Sequence, residues 1–154
     1  MSARNSGRQG ESEPGFVSAA REDHQSLRGR SADLRAVCSR PEIDVDLIVE
    51  IGQRLAAFHV DLVAHFEREE RDGYFEALVE ERPELATRVS ALLDQHGAIR
   101  SELGELTNVM AGDPQPELLA RVLKLLDVLD SHEQGETALL QHATLTDLGG
   151  GVPG

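Results

Sequence analysis

The sequence predicts an all-α protein folded as an up-down-up-down four-helix bundle. Apolar residues recur at alternating steps of three and four along most of the chain, which is the spacing of one buried helix face. The alternating apolar and polar stretches typical of half-buried strands are absent. At 154 residues, the chain has the size of one domain with a substantial core.

The charge balance limits the partners that we expect. The chain has 28 acidic and 15 basic residues, so its formal net charge is −13. Such a surface repels nucleic acid and anionic membranes, and no apolar run reaches the roughly 18 residues of a membrane span. The polar N-terminus lacks the apolar block of a signal peptide. A single cysteine, Cys38, excludes an internal disulfide and favours a reducing cytoplasm. We expect a cytoplasmic protein whose cysteine is a buried structural thiol.

The first predicted helix follows a tail. Residues 1–15 are rich in glycine, serine and charge without periodicity, which predicts disorder. The helix begins at Phe16 and ends before Pro41. Its core-facing positions are Val17, Ala20, His24, Leu27, Ser31, Leu34 and Cys38.

The second predicted helix begins near Asp44 or Asp46, because a carboxylate suits a helix N-terminus. It runs at least to Arg71. Asp72-Gly73 either ends the helix there or is included in a longer helix that stops at Pro83, and the sequence leaves both alternatives open. The core-facing positions are Ile51, Leu55, Phe58, Leu62, His65 and Glu69.

Two further helices complete the predicted bundle. The third begins at Pro83-Glu84 and ends at Gly112-Asp113-Pro114, and the fourth begins near Pro116-Glu117. The glycines after Asp147 predict a helix end and a flexible tail over 149–154, so the bundle would cover 16–148. The core-facing positions are Leu85, Val89, Leu92, His96, Ile99, Leu103, Leu106 and Met110 in the third helix, and Leu118, Val122, Leu125, Leu129, His132, Glu136, Leu139 and Ala143 in the fourth.

Each predicted helix thus carries one histidine among its apolar core positions, and two helices add a glutamate four residues later. These six residues are His24, His65, Glu69, His96, His132 and Glu136. A buried carboxylate costs several kcal/mol unless it is neutralised, so the pattern predicts a metal site. The alternative is a polar network in which every member is hydrogen-bonded. His59 follows the core-facing Phe58 and His142 precedes the core-facing Ala143, so both should lie on flanks or in solvent.

The ligand set favours two metal ions. Four imidazoles and two carboxylates exceed the three or four ligands of one zinc ion. They suit two ions bridged by Glu69 and Glu136, with two histidines on each ion, and mixed nitrogen and oxygen ligands favour iron or manganese. Ferritin-type bundles use more glutamates and the opposite Glu-x-x-His order, which is absent here.

These motifs resemble the hemerythrin-like, or HHE cation-binding, domains. The matching segments are Glu-Asp-His24-Gln-Ser-Leu, His65-Phe-Glu-Arg-Glu69-Glu, Leu-Asp-Gln-His96 and His132-Glu-Gln-Gly-Glu136, within about 17–148. The resemblance implies a four-helix bundle around a non-haem di-iron centre (Fe2+/Fe3+). Oxygen-carrying hemerythrins have a histidine where this chain has Arg100, and their fourth-helix motif ends with aspartate five residues after the histidine. The chain looks like a four-His, two-Glu variant, which argues against reversible oxygen carriage.

The functional prediction is a di-iron protein that binds or senses a small diatomic or peroxide ligand (O2, NO or peroxide), or iron itself. A di-iron enzyme is the alternative, because the resemblance extends to bacterial proteins that repair iron centres after nitrosative damage, and peroxide removal is chemically feasible. A plain interaction bundle is the third class.

Other polar residues near the six could take part in the site. Glu133 or Tyr74 could fill an open coordination position, but we interpret Glu133 as a solvated flank and Tyr74 as a packing or loop residue. Asp23 could orient an imidazole, although a surface position is the simpler interpretation. We interpret Glu67, Arg68, Glu70 and Arg71 as exposed-face charges.

Overall fold

The structure is a computed structural model that describes residues 22–150, with side chains described to residue 143. Every regular element in that range is helical. The elements are α1 over 22–38, α2 (Val45–Arg71), α3 (Tyr74–Glu81), a short 3-10 helix (Pro83–Leu85), α4 (Ala86–Gly112) and α5 (Leu118–Gly150). The predicted tail over 1–15 and the predicted helix start at Phe16 lie outside the described residues.

The four long helices form a ring in which each helix is antiparallel to both neighbours. Along each contact, residue numbers rise in one helix as they fall in the other. The contacts are Asp23–Arg68 and Arg30–Asp61 for α1 and α2, Gly52–Met110 and Glu70–Arg100 for α2 and α4, Gln95–His132 and Glu102–Arg121 for α4 and α5, and His24–Glu136 and Arg35–Asp127 for α5 and α1. The prediction of an all-α, up-down-up-down bundle is confirmed.

The alternative left open after Arg71 is decided by one backbone conformation. Gly73 has a φ of 70°, in the left-handed region that costs other residues steric energy. The second predicted helix therefore ends at Arg71, and α3 starts separately at Tyr74. Within the described range the bundle consequently has a short fifth helix, which buries Phe75 and Leu78.

The helix ends follow from local chemistry. Asp44 caps α2, because its side chain accepts a hydrogen bond of 2.8 Å from the backbone N–H of Leu47. Helix α4 follows the Pro83–Leu85 turn and ends at Gly112, as expected. Helix α5 continues to Gly150, further along the chain than the end expected after Asp147.

Two apolar clusters lie on either side of the polar core residues. The larger cluster joins α1, α2, α4 and α5 and includes Leu55, Leu103 and buried Cys38, whose thiol pKa is raised by burial. The smaller cluster is formed by α3 with the start of α4 and the later part of α5, and includes Phe75 and Leu92. Along α4 and α5, the histidines separate the two clusters. None of the described helices has the length and hydropathy of a membrane span.

Candidate metal centre

The helical spacing brings all six sequence-predicted side chains to one place. They are His24, His65, Glu69, His96, His132 and Glu136, and each is buried, with 1–5% of its surface exposed. The two pairs spaced by four residues lie on one helix face each, so their side chains meet. His65 Nε2 is 3.3 Å from Glu69 Oε1, and His132 Nε2 is 3.3 Å from Glu136 Oε2.

The carboxylate of Glu136 lies between two pairs of histidines. Its Oε1 is 2.6 Å from Nε2 of His24 and 3.9 Å from Nε2 of His65. Its Oε2 is 3.3 Å from Nε2 of His132 and 3.7 Å from Nε2 of His96. Each oxygen of Glu136 therefore faces a different histidine pair.

Glu69 lies between the same pairs, with less symmetry. Its Oε2 is 3.8 Å from Nε2 of His24, and its Oε1 is 3.3 Å from His65 Nε2 and 3.4 Å from His96 Nε2. The potential ligand atoms consequently form two groups in which all atoms lie within 4.8 Å of one another. One group is His24, His65, Glu69 and Glu136, and the other is His96, His132 and Glu136.

The donor set fits metal ions better than it fits a closed polar network. Among the described residues, Glu69 Oε1, Glu136 Oε2, His96 Nε2 and His132 Nε2 are fully buried without a hydrogen bond. These atoms face one another at 3.3–3.7 Å. Each buried polar atom without a partner costs roughly 1–3 kcal/mol. A cation would satisfy all four, and a purely structural network would leave them unsatisfied.

The electrostatics of the cluster favour positive charge. Burial opposes protonation of His24, but the carboxylates of Glu136 and Glu69 outweigh it and raise the pKa of His24 to about 10. Burial alone would raise the pKa of Glu136, yet the nearby imidazoles of His132, His24 and His96 hold it well below its usual range. The carboxylate of Glu136 thus remains ionised and attracts either protons or metal cations.

Three histidines are oriented by acceptors outside the cluster. Nδ1 of His65 donates to Asp23 Oδ2 at 3.1 Å, and Nδ1 of His96 donates to Glu70 Oε2 at 2.8 Å. Nδ1 of His132 donates to the amide oxygen of Gln95 at 2.7 Å. A proton on Nδ1 leaves the lone pair of Nε2 directed into the cluster, as metal ligation requires.

An aromatic ring and an arginine cover one side of the cluster. Phe66 stacks on His96 at a centroid distance of 3.9 Å and meets the edge of His132 at 5.5 Å. Arg100 lies over the Phe66 ring, 5.7 Å from its centroid, and pairs with Glu70 at 3.2 Å. The residue at position 100 therefore points toward Phe66 and Glu70 and belongs to neither ligand group.

Arg68 and Glu70 are exposed, as predicted, yet both take part in contacts that lead to the cluster. Glu70 contacts a core histidine, and Arg68 donates a hydrogen bond of 2.8 Å to Asp23. Asp23 contacts His65 on the neighbouring helix, not His24 beside it in the sequence. Gln95 was missed entirely. A signal was present, since Glu70 and Gln95 each adjoin a core-facing polar residue and so border the seam between helices.

The interpretation of Glu133 as a solvated flank was wrong. Its side chain is 5% exposed, and its Oε1 has no partner among the described residues. Burial raises the pKa of Glu133 to about 7, although the nearby charges of His24 and Arg28 lower it. Glu133 belongs to neither ligand group. Its burial arises because α1 packs over this flank of α5, which a single-helix pattern does not reveal.

The remaining candidates lie outside the cluster. Tyr74 begins α3, is half-buried and meets the ring of Phe75 at 5.7 Å. His59 is half-buried beside Gly104, and His142 is exposed. The two histidines next to core-facing positions thus lie on a flank and in solvent, as predicted.

Comparison with known proteins supports the same kind of site. The family model described as the hemerythrin HHE cation binding domain matches residues 16–143. No curated protein and no solved structure matches the chain. The matched range covers most of the chain and includes all six residues of the cluster. The protein therefore belongs to the hemerythrin HHE cation-binding domain family.

Proposed function

We propose that the protein binds two non-haem iron ions between its helices and uses them to bind or sense O2, NO or peroxide. Membership of the family supports cation binding. The division of the Glu136 oxygens between two histidine pairs supports two ions, because a carboxylate serving one ion has no need to face both pairs. Mixed imidazole and carboxylate ligands suit iron, and manganese is the second choice.

The chain offers six ligand side chains for the two ions. His24 and His65 would hold one ion, and His96 and His132 would hold the other. Glu69 and Glu136 would each contribute to the binding of both ions. Iron held by these residues would supply one-electron redox chemistry toward a small molecule.

The surroundings of the cluster favour small, uncharged ligands. Its members are at most 5% exposed, and apolar side chains lie on both sides, so a large substrate has no room there. O2, NO and hydrogen peroxide are small and uncharged, and the acidic surface of the protein does not repel them. Phe66 and the neighbouring apolar residues limit water around the ions.

Metal analysis tests the two-ion proposal. Protein purified without oxygen should contain about two iron ions per chain. A redox titration should show that both ions change oxidation state. A single tightly held zinc ion per chain would contradict the proposal.

Rapid-mixing spectroscopy tests the oxidant proposal. The reduced protein is mixed separately with O2, NO and H2O2 while the visible spectrum is followed. We expect oxidation by O2 or H2O2 within seconds to minutes, with no long-lived oxygenated form. A stable, reversible oxygen band would identify a carrier, and repeated H2O2 turnover would identify an enzyme. Absence of change with all three molecules would refute the oxidant proposal and leave iron binding alone.

A further inference from the structure

Two of the clustered histidines end three-residue chains that lead to the surface. The first chain is Arg68–Asp23–His65, in which Asp23 Oδ2 accepts from Arg68 Nη2 at 2.8 Å and from His65 Nδ1 at 3.1 Å. The second is Arg100–Glu70–His96. There, Glu70 Oε2 accepts from His96 Nδ1 at 2.8 Å and pairs with Arg100 Nη2 at 3.2 Å. In both chains the ring and the guanidinium group meet the same carboxylate oxygen.

The two chains are distributed evenly over the site. His65 belongs to the ligand group that contains His24, and His96 belongs to the group that contains His132. Each proposed ion position therefore has one histidine supported by a carboxylate and an arginine. His132 differs, since its Nδ1 meets the uncharged amide of Gln95.

Folding energy alone does not account for these arginines. The side chains of Arg68 and Asp23 are 46% and 35% exposed, and those of Arg100 and Glu70 are 32% and 37% exposed. Ion pairs with this exposure contribute little to stability. A partly exposed carboxylate is free to turn toward water, and the arginine restricts it to the rotamer that accepts the Nδ1 proton. Arg100 is itself held over Phe66, which stacks on His96.

We propose that Arg68 and Arg100 are positioning residues, each of which fixes one ligand histidine and so tunes one of the two ion positions separately. The proposal rests on the proposed metal binding. Loss of a hydrogen-bonded partner behind a ligand histidine typically weakens metal binding by about 10–100-fold. Because the chains end in different ligand groups, loss of one arginine should affect one ion.

The test compares Arg68→Gln and Arg100→Gln with Arg121→Gln. Arg121 is a matched control, because it is 38% exposed and pairs with Glu102 at 2.8 Å, away from the cluster. The full-length variants are loaded with Co2+, and a chelator competes for the ions. We expect each of the first two variants to bind one ion more weakly by up to about 10-fold, because the carboxylate behind the histidine is kept but no longer held in place. The double variant should bind both ions more weakly, and the control should match wild type. Arg100→Lys should recover part of the loss, because it keeps the charge.

A second measurement distinguishes positioning from general loosening. In the Co2+-loaded protein, the Nδ1 protons of the ligand histidines give separate, strongly shifted proton NMR signals that exchange with water. Arg68→Gln should accelerate exchange of the His65 proton alone, and Arg100→Gln that of the His96 proton alone.

The outcomes separate the two levels of the proposal. Glutamine variants that match the Arg121→Gln control would overturn the positioning role and leave metal binding intact. Single variants that weaken both ions and accelerate exchange at every histidine would overturn separate tuning. A wild-type protein that binds no Co2+ would overturn the proposed metal binding and this inference with it.

Discussion

The two parts of the bundle core are equally buried but differ in what burial costs. Around Leu103 the core is apolar, and burial contributes about 25 cal/mol for each Å2 removed from water. Around Glu136 the side chains are just as inaccessible, yet four of their polar atoms have no hydrogen bond. Burial there costs free energy until a cation is present. The apolar part can therefore support the fold by itself, and the polar part depends on a ligand.

The largest expected effect comes from the apolar part. Leu103 is 0% exposed, so Leu103→Ala removes buried methyl groups and leaves a cavity. It should lower the free energy of unfolding by about 2–5 kcal/mol, as measured by denaturant titration. The iron content of the folded fraction should stay near two per chain. Loss of iron from protein that is still folded would show that the two parts are not separable.

Iron removal tests the polar part. An ion present at about 100 times its dissociation constant stabilises the folded state by about 2.7 kcal/mol. Its removal should lower the melting temperature by roughly 5–10 °C, and re-addition should restore it. Calorimetry of the loaded, stripped and reloaded protein measures this. Equal melting temperatures for all three samples would mean that the buried carboxylates are neutralised without metal.

Ligand substitutions locate the boundary between the two parts. His24→Ala, His65→Ala, His96→Ala and His132→Ala should each lose at least one iron ion, because each removes an Nε2 that faces the cluster. His59→Ala and His142→Ala should keep both ions, since their side chains lie on a flank and in solvent. Metal analysis of the six proteins decides the point. Similar losses in all six would place the metal outside the predicted cluster.

The smallest effect should appear as a pH dependence of the iron-free protein. The pKa of His24 is raised to about 10 by Glu136 and Glu69, so its protonated form is favoured in the folded state. That contribution to stability is complete below about pH 6.5 and is lost as the pH rises through about 10. Thermal melts from pH 7 to 10 should show a decline that is weaker in His24→Gln. An iron-loaded sample should lack this decline, because the metal replaces the proton. A decline of equal size in His24→Gln would assign it to other groups.

The sequence was sufficient for features that depend on one helix at a time. The spacing of His65 and Glu69 placed them on the same helix face as Leu62, and the same rule brought six polar side chains into the core. Glu70, Gln95 and Glu133 depend on how closely a neighbouring helix packs, which the period of one helix does not specify. The break after Arg71 was undecided because Asp-Gly is compatible with either outcome until the backbone of Gly73 is known.

One feature of the cluster links parts of the chain that are far apart in sequence. Helices α1 and α2 form one hairpin, and α4 and α5 form another. Glu69 of the first hairpin reaches His96 of the second, and Glu136 of the second reaches His24 of the first. Bound ions would therefore cross-link the two hairpins. Unfolding that starts by separating the hairpins must first break the metal–ligand bonds between them. Metal would therefore slow unfolding more than it speeds folding. With protease in excess, the loaded protein should then resist cleavage for longer, because cleavage under that condition follows the rate of opening.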